Sequence, residues 1–203
     1  RASKLQSGDY VLAPSLTAHA ILGKLVSGDI ARETLTIIEG WSVKEINGHL
    51  ASRGFAFQLS QSDEGYLFPD TYYVPRSISA AELTNLLKAN FEKKAGNIRP
   101  SELIMASLLE KEVQTFKDKQ IVSGILWKRL SVSMPLQVDA APETYTSTGL
   151  PASPIANPGL ESIQAALEPK ESPYWFYLSA RDGATIFSRT FEEHKAAKAR
   201  YLQ

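Results

Sequence analysis

The stretch RPSELIMASLLEKEV, residues 99–113, combines the start of a helix with a long apolar run and, near its end, two closely spaced glutamates. A helix is predicted to begin behind Pro100, because proline is well tolerated at the first helical position. The residues that follow are mostly apolar and include no glycine, which indicates a helix that is largely buried. Glu110 and Glu112 lie two positions apart near its end, and either could take part in chemistry.

The two glutamates project from different sides of this predicted helix. At about 100° per residue, Glu112 falls within roughly 60° of Met105 and Leu108, on the apolar face. Glu110 lies about 160° away from Glu112, on a face with fewer large apolar residues. We therefore expect Glu110 to form a surface salt bridge or to contact residues around a site.

Burial would change the acid–base behaviour of Glu112. A carboxyl group on an apolar face is desolvated, which raises its pKa above the usual value of about 4.3 and can keep it protonated near neutral pH. A protonated carboxyl is the form that a general acid needs to protonate a glycosidic oxygen. The alternative is that Glu112 pairs with a buried lysine or arginine and is purely structural. Spacing alone does not separate the two.

Composition argues against several classes of function. The 203 residues include 22 Lys plus Arg and 22 Asp plus Glu, so the formal net charge is zero. A chain without net positive charge is not expected to bind nucleic acid. The absence of Cys excludes disulfides, thiolate metal sites and a cysteine nucleophile. His19, His49 and His194 are far apart on predicted helices, without a second ligand at metal spacing. With no phosphate-binding, dinucleotide or serine-nucleophile motif either, we expect no metal and no cofactor.

The N-terminal half predicts short strands alternating with capped helices. Residues 8–29 have the pattern of a short strand and then a helix that is capped by Ser15 and stops at Gly28. A strand is expected at residues 33–40, and an edge strand or loop at residues 64–75. Two pairs at the spacing of a capping box open the next helices: Ser42 with Glu45, and Ser79 with Glu82.

The C-terminal half predicts helices, an irregular segment and a hairpin. Residues 118–130 have the pattern of a helix. Residues 135–158 hold five prolines together with apolar side chains that suit an interior, which favours an ordered loop. Residues 173–188 are typical of a hairpin that turns at Asp182–Gly183, and a capped terminal helix follows. The expected fold class is therefore α+β.

Five sequence blocks occur in the order found in a known family. They are ASLLEKE (106–112), DKQIVSGILWKRL (118–130), MPLQVD (134–139), GLPASPIANPGLESIQAAL (149–167) and PYWFYLSARDGATIFSRTFEEH (173–194). In order and wording they resemble the membrane-anchored endolytic murein transglycosylases, the MltG or YceG-like family. The upstream blocks LVSGD, IIEGWSVKEI and EGYLFPDTYY resemble landmarks of the same proteins, so the resemblance covers nearly the whole chain.

The resemblance implies a specific reaction. Family members cleave the bond between N-acetylmuramic acid and N-acetylglucosamine inside nascent peptidoglycan strands without water, and leave a 1,6-anhydro-muramyl end. Their catalytic carboxylate is the second glutamate of the E-K-E motif, which implies Glu112 here. Glu112 would protonate the leaving oxygen and then take the proton of the C6 hydroxyl that attacks C1. Because the nucleophile belongs to the substrate, no second catalytic carboxylate is required.

Three polar residues are candidates for binding the substrate. Gln137 and Asp139, in LQVD, and Asn157, in IANPG, are expected to line the cleft and stabilise the charge that develops at C1. The alternatives are a turn amide, an Asx-turn and a loop cap. Four aromatic residues could form a sugar-stacking wall, although aromatics at this density more often pack in a core: Tyr66, Phe68, Tyr72 and Tyr73. We expect His194, which matches a family landmark, to be structural.

The resemblance also implies a domain organisation. Residues 1–31 resemble the latter part of a LysM-like subdomain, and residues 32–203 a YceG-like catalytic domain of helices and short strands, with a C-terminal β-hairpin and helix. The cleft is expected between the Glu112 helix and residues 135–158. Only AAPE, residues 140–143, separates Asp139 from Thr144, where family members carry a longer stretch. Either the loop is shortened in this lineage or a segment is missing from this sequence. If the loop helps to close the cleft, the preference for glycan length is expected to differ.

The setting implied by the family is the outer face of a bacterial membrane. The expected partners are peptidoglycan glycan strands and, through the family, peptidoglycan synthases of the penicillin-binding type. No apolar run approaches 18 residues and the chain begins with Arg1, so we expect a soluble piece of a longer protein. The family resemblance implies that this piece is extracytoplasmic and that its anchor lies outside this chain.

Two rival functions remain open. One is a non-catalytic peptidoglycan-binding module, in which Glu112 is only an ion-pair partner. The other is a lysozyme-type hydrolase, a muramidase, with Glu112 as the acid and Asp139 as the second carboxylate.

Overall fold

A computed structural model describes residues 5–202 and confirms the α+β class. The helices in this part of the chain are α1 (Ala18–Ser27), α2 (Val43–Ser52), α3 (Ala80–Ala95), α4 (Pro100–Glu112), α5 (Phe116–Ser131), α6 (Leu160–Leu167) and α7 (Phe191–Tyr201). The strands are β1 (Arg32–Thr36), β2 (Thr71–Pro75), β3 (Phe176–Ser179) and β4 (Thr185–Ser188). Two short 3₁₀ turns cover Gln61–Asp63 and Pro142–Tyr145. Across residues 5–202, no helix has both the length and the apolar character needed to cross a membrane.

The strands form two separate antiparallel pairs. β1 pairs with β2, so that Arg32 lies opposite Pro75 and Thr36 opposite Thr71. β3 pairs with β4 in a hairpin, where Gly183 adopts a φ of 85° in the turn. For residues 64–75, predicted as an edge strand or a loop, the structure shows a strand at Thr71–Pro75. The hairpin predicted at Asp182–Gly183 is confirmed.

Side-chain caps fix the starts of several helices. Ser42 with Glu45 and Ser79 with Glu82 form the two reciprocal capping boxes that were predicted, at the starts of α2 and α3. α1 begins later than predicted, at Ala18. The reason is that Thr17, not Ser15, accepts the backbone N–H of Ala20, at 3.3 Å.

The strand predicted before α1 is wrong. Residues 5–17 contain no strand, and their backbone contacts with the following segment are isolated, such as the N–H of Gln6 to the carbonyl of Leu25 at 2.9 Å. A strand needs a neighbour for its hydrogen bonds, and β1 pairs only with β2 in its sheet. The LysM-like character of residues 1–31 therefore stays a prediction, and residues 1–4 lie outside the described residues.

Two hydrophobic clusters make up the interior. The N-terminal core is formed by β1, α2, β2 and α3, with fully buried Leu35, Ile46, Leu50 and Leu83 among its members. The C-terminal core is formed mainly by α4, α5 and α6, and β3 and β4 pack against it. α4 lies at its centre, because every residue from Glu102 to Leu109 is buried. A helix that is apolar on all sides belongs in an interior, which is why this stretch organises the fold.

Candidate active site

Glu112 is the last residue of α4 and lies at the wall of a pocket. The next residue, Val113, is extended with φ −141° and ψ 145°, so the helix ends here. The hydroxyl of Ser179 on β3 donates to the carbonyl of Glu112 at 3.1 Å, which ties the helix end to the hairpin. The pocket lies between this end of α4 and residues 137–145, and β3 and α7 form its other sides.

The pocket has a volume of about 420 Å³, within the range of small-ligand sites. The charged and polar side chains that line it are Glu112, Arg129, Gln137, Asp139, Tyr145, Tyr177, Ser179, His194 and Lys198. Leu178, Phe191 and Leu202 add apolar surface. The structure thus brings together three of the four predicted site residues.

The carboxyl group of Glu112 is held by two donors. Its Oε1 accepts the N–H of Ala140 at 3.4 Å, and its Oε2 accepts the hydroxyl of Tyr177 at 3.3 Å. Burial raises the pKa of Glu112 above its ordinary value, and the negative charge of Asp139 adds to that increase, while the two donors oppose it. None of the salt bridges within residues 5–202 includes Glu112. The carboxyl is therefore suited to hold a proton.

Asp139 and Gln137 are positioned by the 3₁₀ turn that follows them. The hydroxyl of Tyr145 donates to the carboxylate of Asp139, which raises the pKa of Tyr145 to about 12. The backbone N–H of Gln137 donates to the carbonyl of Thr144 at 3.1 Å. Gln137 has a φ of 56°, in the left-handed region that side chains other than glycine rarely adopt. Both predicted side chains are exposed and line the pocket.

Tyr177 is a site residue that the sequence did not single out. Burial and the nearby charge of Glu112 raise its pKa well above the usual range, so its hydroxyl stays protonated and remains a donor. Alternation along β3 places Tyr177 and Ser179 on one face, both in contact with Glu112. That alternation was visible in the sequence, but the face that meets α4 was not.

Glu110 corrects one prediction made from the sequence. Its salt bridge is present, because Lys119 Nζ lies 3.3 Å from Oε1 of Glu110. The pair is buried, however, because the side chain of Lys119 is 4% exposed and that of Glu110 is 9% exposed. Its Oε2 also accepts the N–H of Gly159 at 2.8 Å. The face of α4 that carries Glu110 is covered by α5 and by the start of α6. The structural ion pair considered for Glu112 therefore belongs to Glu110.

Asn157 does not reach the pocket. It is fully buried, and its Oδ1 accepts the N–H of Leu67 at 2.9 Å. Its Nδ2 donates to the carbonyl of Trp41 and to Oε1 of Glu64, both at 2.9 Å. All of these partners are groups of the protein itself. The structure therefore agrees with the alternative role considered for Asn157, that of a loop cap.

The aromatic cluster does not line the pocket either. Phe68 and Tyr72 are buried in the interior, and the hydroxyl of Tyr72 donates to the carbonyl of Phe68 at 2.6 Å. Tyr66 packs edge-on against Phe91, with ring centroids 5.4 Å apart. Tyr73 is exposed on β2. Core and edge packing, the more frequent role of such residues, describes this cluster.

His194 lies on α7 and lines the pocket. Its side chain is 8% exposed, and its Nδ1 has no hydrogen-bond partner among residues 5–202. Within the same residues, no group of three or more His, Cys, Asp and Glu side chains could hold a metal ion.

Comparison with sequence families gives one match that spans nearly the whole chain. The profile of the YceG-like family matches residues 1–143 and 142–200. The two matched ranges meet inside the short segment between Asp139 and Tyr145. The match to the family profile is therefore divided within the short connection that follows Asp139.

Two named relatives align with nearly the whole of this chain. The endolytic murein transglycosylase of Bacillus subtilis (strain 168) is 28% identical over 269 residues, covering 99% of this chain and 74% of the relative. The endolytic murein transglycosylase of Streptococcus pneumoniae serotype 2 is 26% identical over 238 residues, covering 96% of this chain. This chain spans 41% of the length of the pneumococcal relative.

A solved structure has the same fold. The crystal structure of a yceG-like protein from Listeria monocytogenes superimposes with a TM-score of 0.71 at 24% identity, covering 96% of this chain and 86% of that chain. This likeness shows the fold. The family profile, which matches residues 1–143 and 142–200, shows that the chain belongs to the YceG-like family.

Proposed function

We propose that this chain is an endolytic peptidoglycan lytic transglycosylase, a lyase, with Glu112 as its catalytic residue. The observation that carries the proposal is the desolvated carboxyl of Glu112 at the wall of a 420 Å³ pocket, without a cationic partner among residues 5–202. Two relatives that are named endolytic murein transglycosylases support the substrate class. Peptidoglycan synthases as partners and an extracytoplasmic location belong to the proposal through the family alone.

In the proposed reaction Glu112 acts first as an acid and then as a base. Its proton passes to the glycosidic oxygen as the bond from C1 of N-acetylmuramic acid to N-acetylglucosamine breaks. The C6 hydroxyl oxygen of the same muramyl residue then bonds to C1, and its proton passes to the Glu112 carboxylate. The products are a 1,6-anhydro-muramyl end and a free N-acetylglucosamine hydroxyl. Glu112 is protonated again, so each turnover restores the starting state.

The neighbours of Glu112 suit both halves of this cycle. The Tyr177 hydroxyl and the Ala140 N–H stabilise the carboxylate that exists after the first proton transfer. Asp139 supplies negative charge in the same pocket, where positive charge would develop at C1, and Tyr145 fixes its carboxylate. Gln137 adds an amide to the pocket wall.

Asp139 also gives the structure a second candidate function. Two carboxyl groups in one pocket are the equipment of a retaining or inverting hydrolase, in which water ends the reaction. A hydrolase would leave a reducing muramyl end, whereas a lytic transglycosylase leaves an anhydro end.

The test is mass spectrometry of products from uncrosslinked nascent glycan strands. The native chain is compared with Glu112→Gln and with a matched control, Glu143→Gln, whose exposed side chain lies outside the pocket. We expect anhydro ends from the native chain and from the control. Glu112→Gln should produce at least roughly 100-fold fewer of these ends.

Each other result selects a different function. Reducing muramyl ends from the native chain would identify a hydrolase. Equal cleavage by Glu112→Gln would make Glu112 structural and direct attention to Asp139. Strands that bind to the native chain but remain uncut would identify a binding module.

A further inference from the structure

The pocket has a basic end, formed by Arg129, His194 and Lys198. All three side chains line the same pocket as Glu112. None of them takes part in a salt bridge within residues 5–202. The sugar rings and N-acetyl groups of a glycan strand are neutral, so binding the strand backbone would not need a guanidinium and an ammonium group beside an imidazole. The basic end therefore requires another explanation.

Arg129 is built into the wall of the pocket. Its residue is 3% exposed, its Nε donates to the carbonyl of Trp175 at 2.9 Å, and its Nη1 donates to the carbonyls of Leu136 and Pro135 at 2.7 and 3.3 Å. A guanidinium has five N–H donors, so these three bonds leave the two donors of Nη2 for another acceptor. Its Cζ also lies 5.1 Å from the centroid of the Phe176 ring, which fixes its plane.

His194 has a buried nitrogen that lacks an acceptor or donor partner. Its ring stacks on Phe176 with centroids 5.2 Å apart and an interplanar angle of 22°. Its Nδ1 makes no hydrogen bond within the described residues, although the residue is only 8% exposed. Leaving a buried polar atom unpaired is unfavourable, so such atoms usually have a ligand or water as a partner. Burial lowers the pKa of His194, and the nearby charges of Lys198 and Arg129 add to that decrease.

We propose that the basic end binds a carboxylate carried on a muramyl residue of the glycan strand, close to the bond that is cut. This inference rests on the proposed function, because it names a part of the same substrate. A carboxylate can accept a charge-assisted bond from Nη2 of Arg129, and imidazole and ammonium groups can supply further donors. The muramyl lactyl arm offers this group either as its own free carboxylate or as a carboxylate of the attached peptide stem.

The test measures binding without turnover. Calorimetry on the Glu112→Gln protein compares three ligands of equal length: muramyl oligosaccharides with peptide stems, the same oligosaccharides after the stems are removed, and chitin oligosaccharides, which carry no carboxylate. We expect at least one of the two muramyl ligands to bind about tenfold more tightly than chitin. Tighter binding of the first ligand identifies a stem carboxylate, and tighter binding of the second identifies the lactyl carboxylate. Equal affinity for all three ligands would overturn the proposal.

Variants in α7 locate the effect. Lys198→Gln, at an exposed position, should weaken binding of the preferred muramyl ligand about threefold, and His194→Gln about tenfold, with chitin unchanged. Lys195→Gln removes the same charge from the same helix at an exposed residue that does not line the pocket, and should leave all affinities unchanged. In the native chain, the preferred ligand should also raise the pKa of His194, followed by nuclear magnetic resonance. Equal losses for chitin and muramyl ligands would contradict the proposal.

The binding test and the product test fail independently. If the native chain produces no anhydro ends but the affinities follow the expected order, the proposed reaction is wrong and the basic end is supported. If anhydro ends form while all three ligands bind equally, the reaction is supported and the carboxylate site is wrong.

Discussion

At the scale of single residues, the surroundings of Glu112 raise the pKa of its carboxyl group. Its position at the end of a buried helix removes water from the carboxyl, and Asp139 opposes its ionisation. Tyr177 and Ala140 act in the other direction by donating hydrogen bonds. The balance keeps the pKa above the ordinary value, so the group can give up a proton and still be stable without it.

Tyr177→Phe tests that balance. The change removes the donor to Oε2, so the pKa of Glu112 should rise further. In a profile of kcat/KM against pH, the alkaline limb reports loss of the Glu112 proton and should move to higher pH. The maximal rate should fall about tenfold, because a hydrogen bond to a charged group contributes roughly 1.5–3 kcal/mol. A limb that stayed in place or moved to lower pH would contradict this role. The control is Tyr73→Phe, far from the pocket on the exposed surface of β2.

Glu112→Gln should also change the stability of the protein in a pH-dependent way. A carboxyl whose pKa is raised by folding favours the folded state only below its unfolded pKa, and that contribution is lost as pH rises through the folded value. The native chain and the variant should therefore have similar free energies of unfolding near pH 4. At pH 8 the variant should be more stable by about 1 kcal/mol. Urea unfolding at the two pH values measures the difference, and a variant less stable at pH 8 would refute the account.

Single residues were predictable where the reason was local. The apolar face that buries Glu112 could be read from helical spacing, and the raised pKa follows from that burial. Glu110 was misjudged because the cover over its face comes from α5 and α6, which spacing within α4 does not reveal. Asn157 was misjudged because its partners Leu67 and Trp41 lie 90 and 116 positions away in the chain.

At the scale of elements, the salt bridge of Glu110 with Lys119 joins three helices. It links α4 to α5, and the bond from Gly159 adds the start of α6. A carboxylate and an ammonium that are both shielded from water depend on each other, since losing one leaves the other charge buried and unpaired. This pair therefore holds α4, and with it Glu112, at a fixed depth in the C-terminal core.

Glu110→Gln should destabilise the protein by about 3 kcal/mol, because it leaves the Lys119 charge buried without a counter-charge. Replacing both residues by Met should restore most of the loss, since two apolar side chains of similar size can replace a buried pair. The free energy of unfolding in urea measures both changes. Asp29→Asn is the control, because it breaks an exposed pair with Lys24 and should cost less than about 1 kcal/mol. A loss for Glu110→Gln as small as that of the control would show that the pair contributes little.

Elements differed in how far the sequence predicted them. The capping boxes of α2 and α3 depend on residues three positions apart, so they could be read directly. The strand expected before α1 depends on a partner strand elsewhere in the chain, and the structure provides none among residues 5–202. The hairpin of β3 and β4 contains its own partner, which is why it was predicted correctly.

At the scale of the whole molecule, Asn157 connects the two cores. It precedes α6 of the C-terminal core, while Trp41, Glu64 and Leu67 belong to the N-terminal half of the chain. The backbone repeats the connection, because the N–H of Gly40 donates to the carbonyl of Asn157 and the N–H of Asn157 to that of Trp41, both at 2.9 Å. One buried amide therefore fixes how the two halves meet.

Asn157→Ala should lower the free energy of unfolding by about 3 kcal/mol, because it leaves the buried Leu67 N–H without an acceptor and removes one of the donors to the Glu64 carboxyl. The KM of the folded fraction for glycan strands should change less than about twofold, since the side chain does not line the pocket. Urea unfolding and steady-state kinetics measure the two effects, and exposed Asn97→Ala serves as the control. A large rise in KM without loss of stability would instead favour the substrate-binding role predicted from the sequence.

The overall fold was predictable to the level of its class. Helical periodicity, capping and hairpin patterns gave the α+β class, which the structure confirms. The division of the interior into two cores was not visible, because it depends on contacts between distant segments. The short connection after Asp139 was visible, and it coincides with the point where the two ranges matched to the family meet.

The backbone of Gln137 has a consequence for how this protein can change over generations. A left-handed φ of 56° at a residue with a full side chain costs on the order of 1 kcal/mol, which glycine at the same position would avoid. Because the side chain faces the pocket, glycine would also remove an amide from its wall. At position 137, selection for stability therefore favours glycine, whereas selection for activity favours the glutamine.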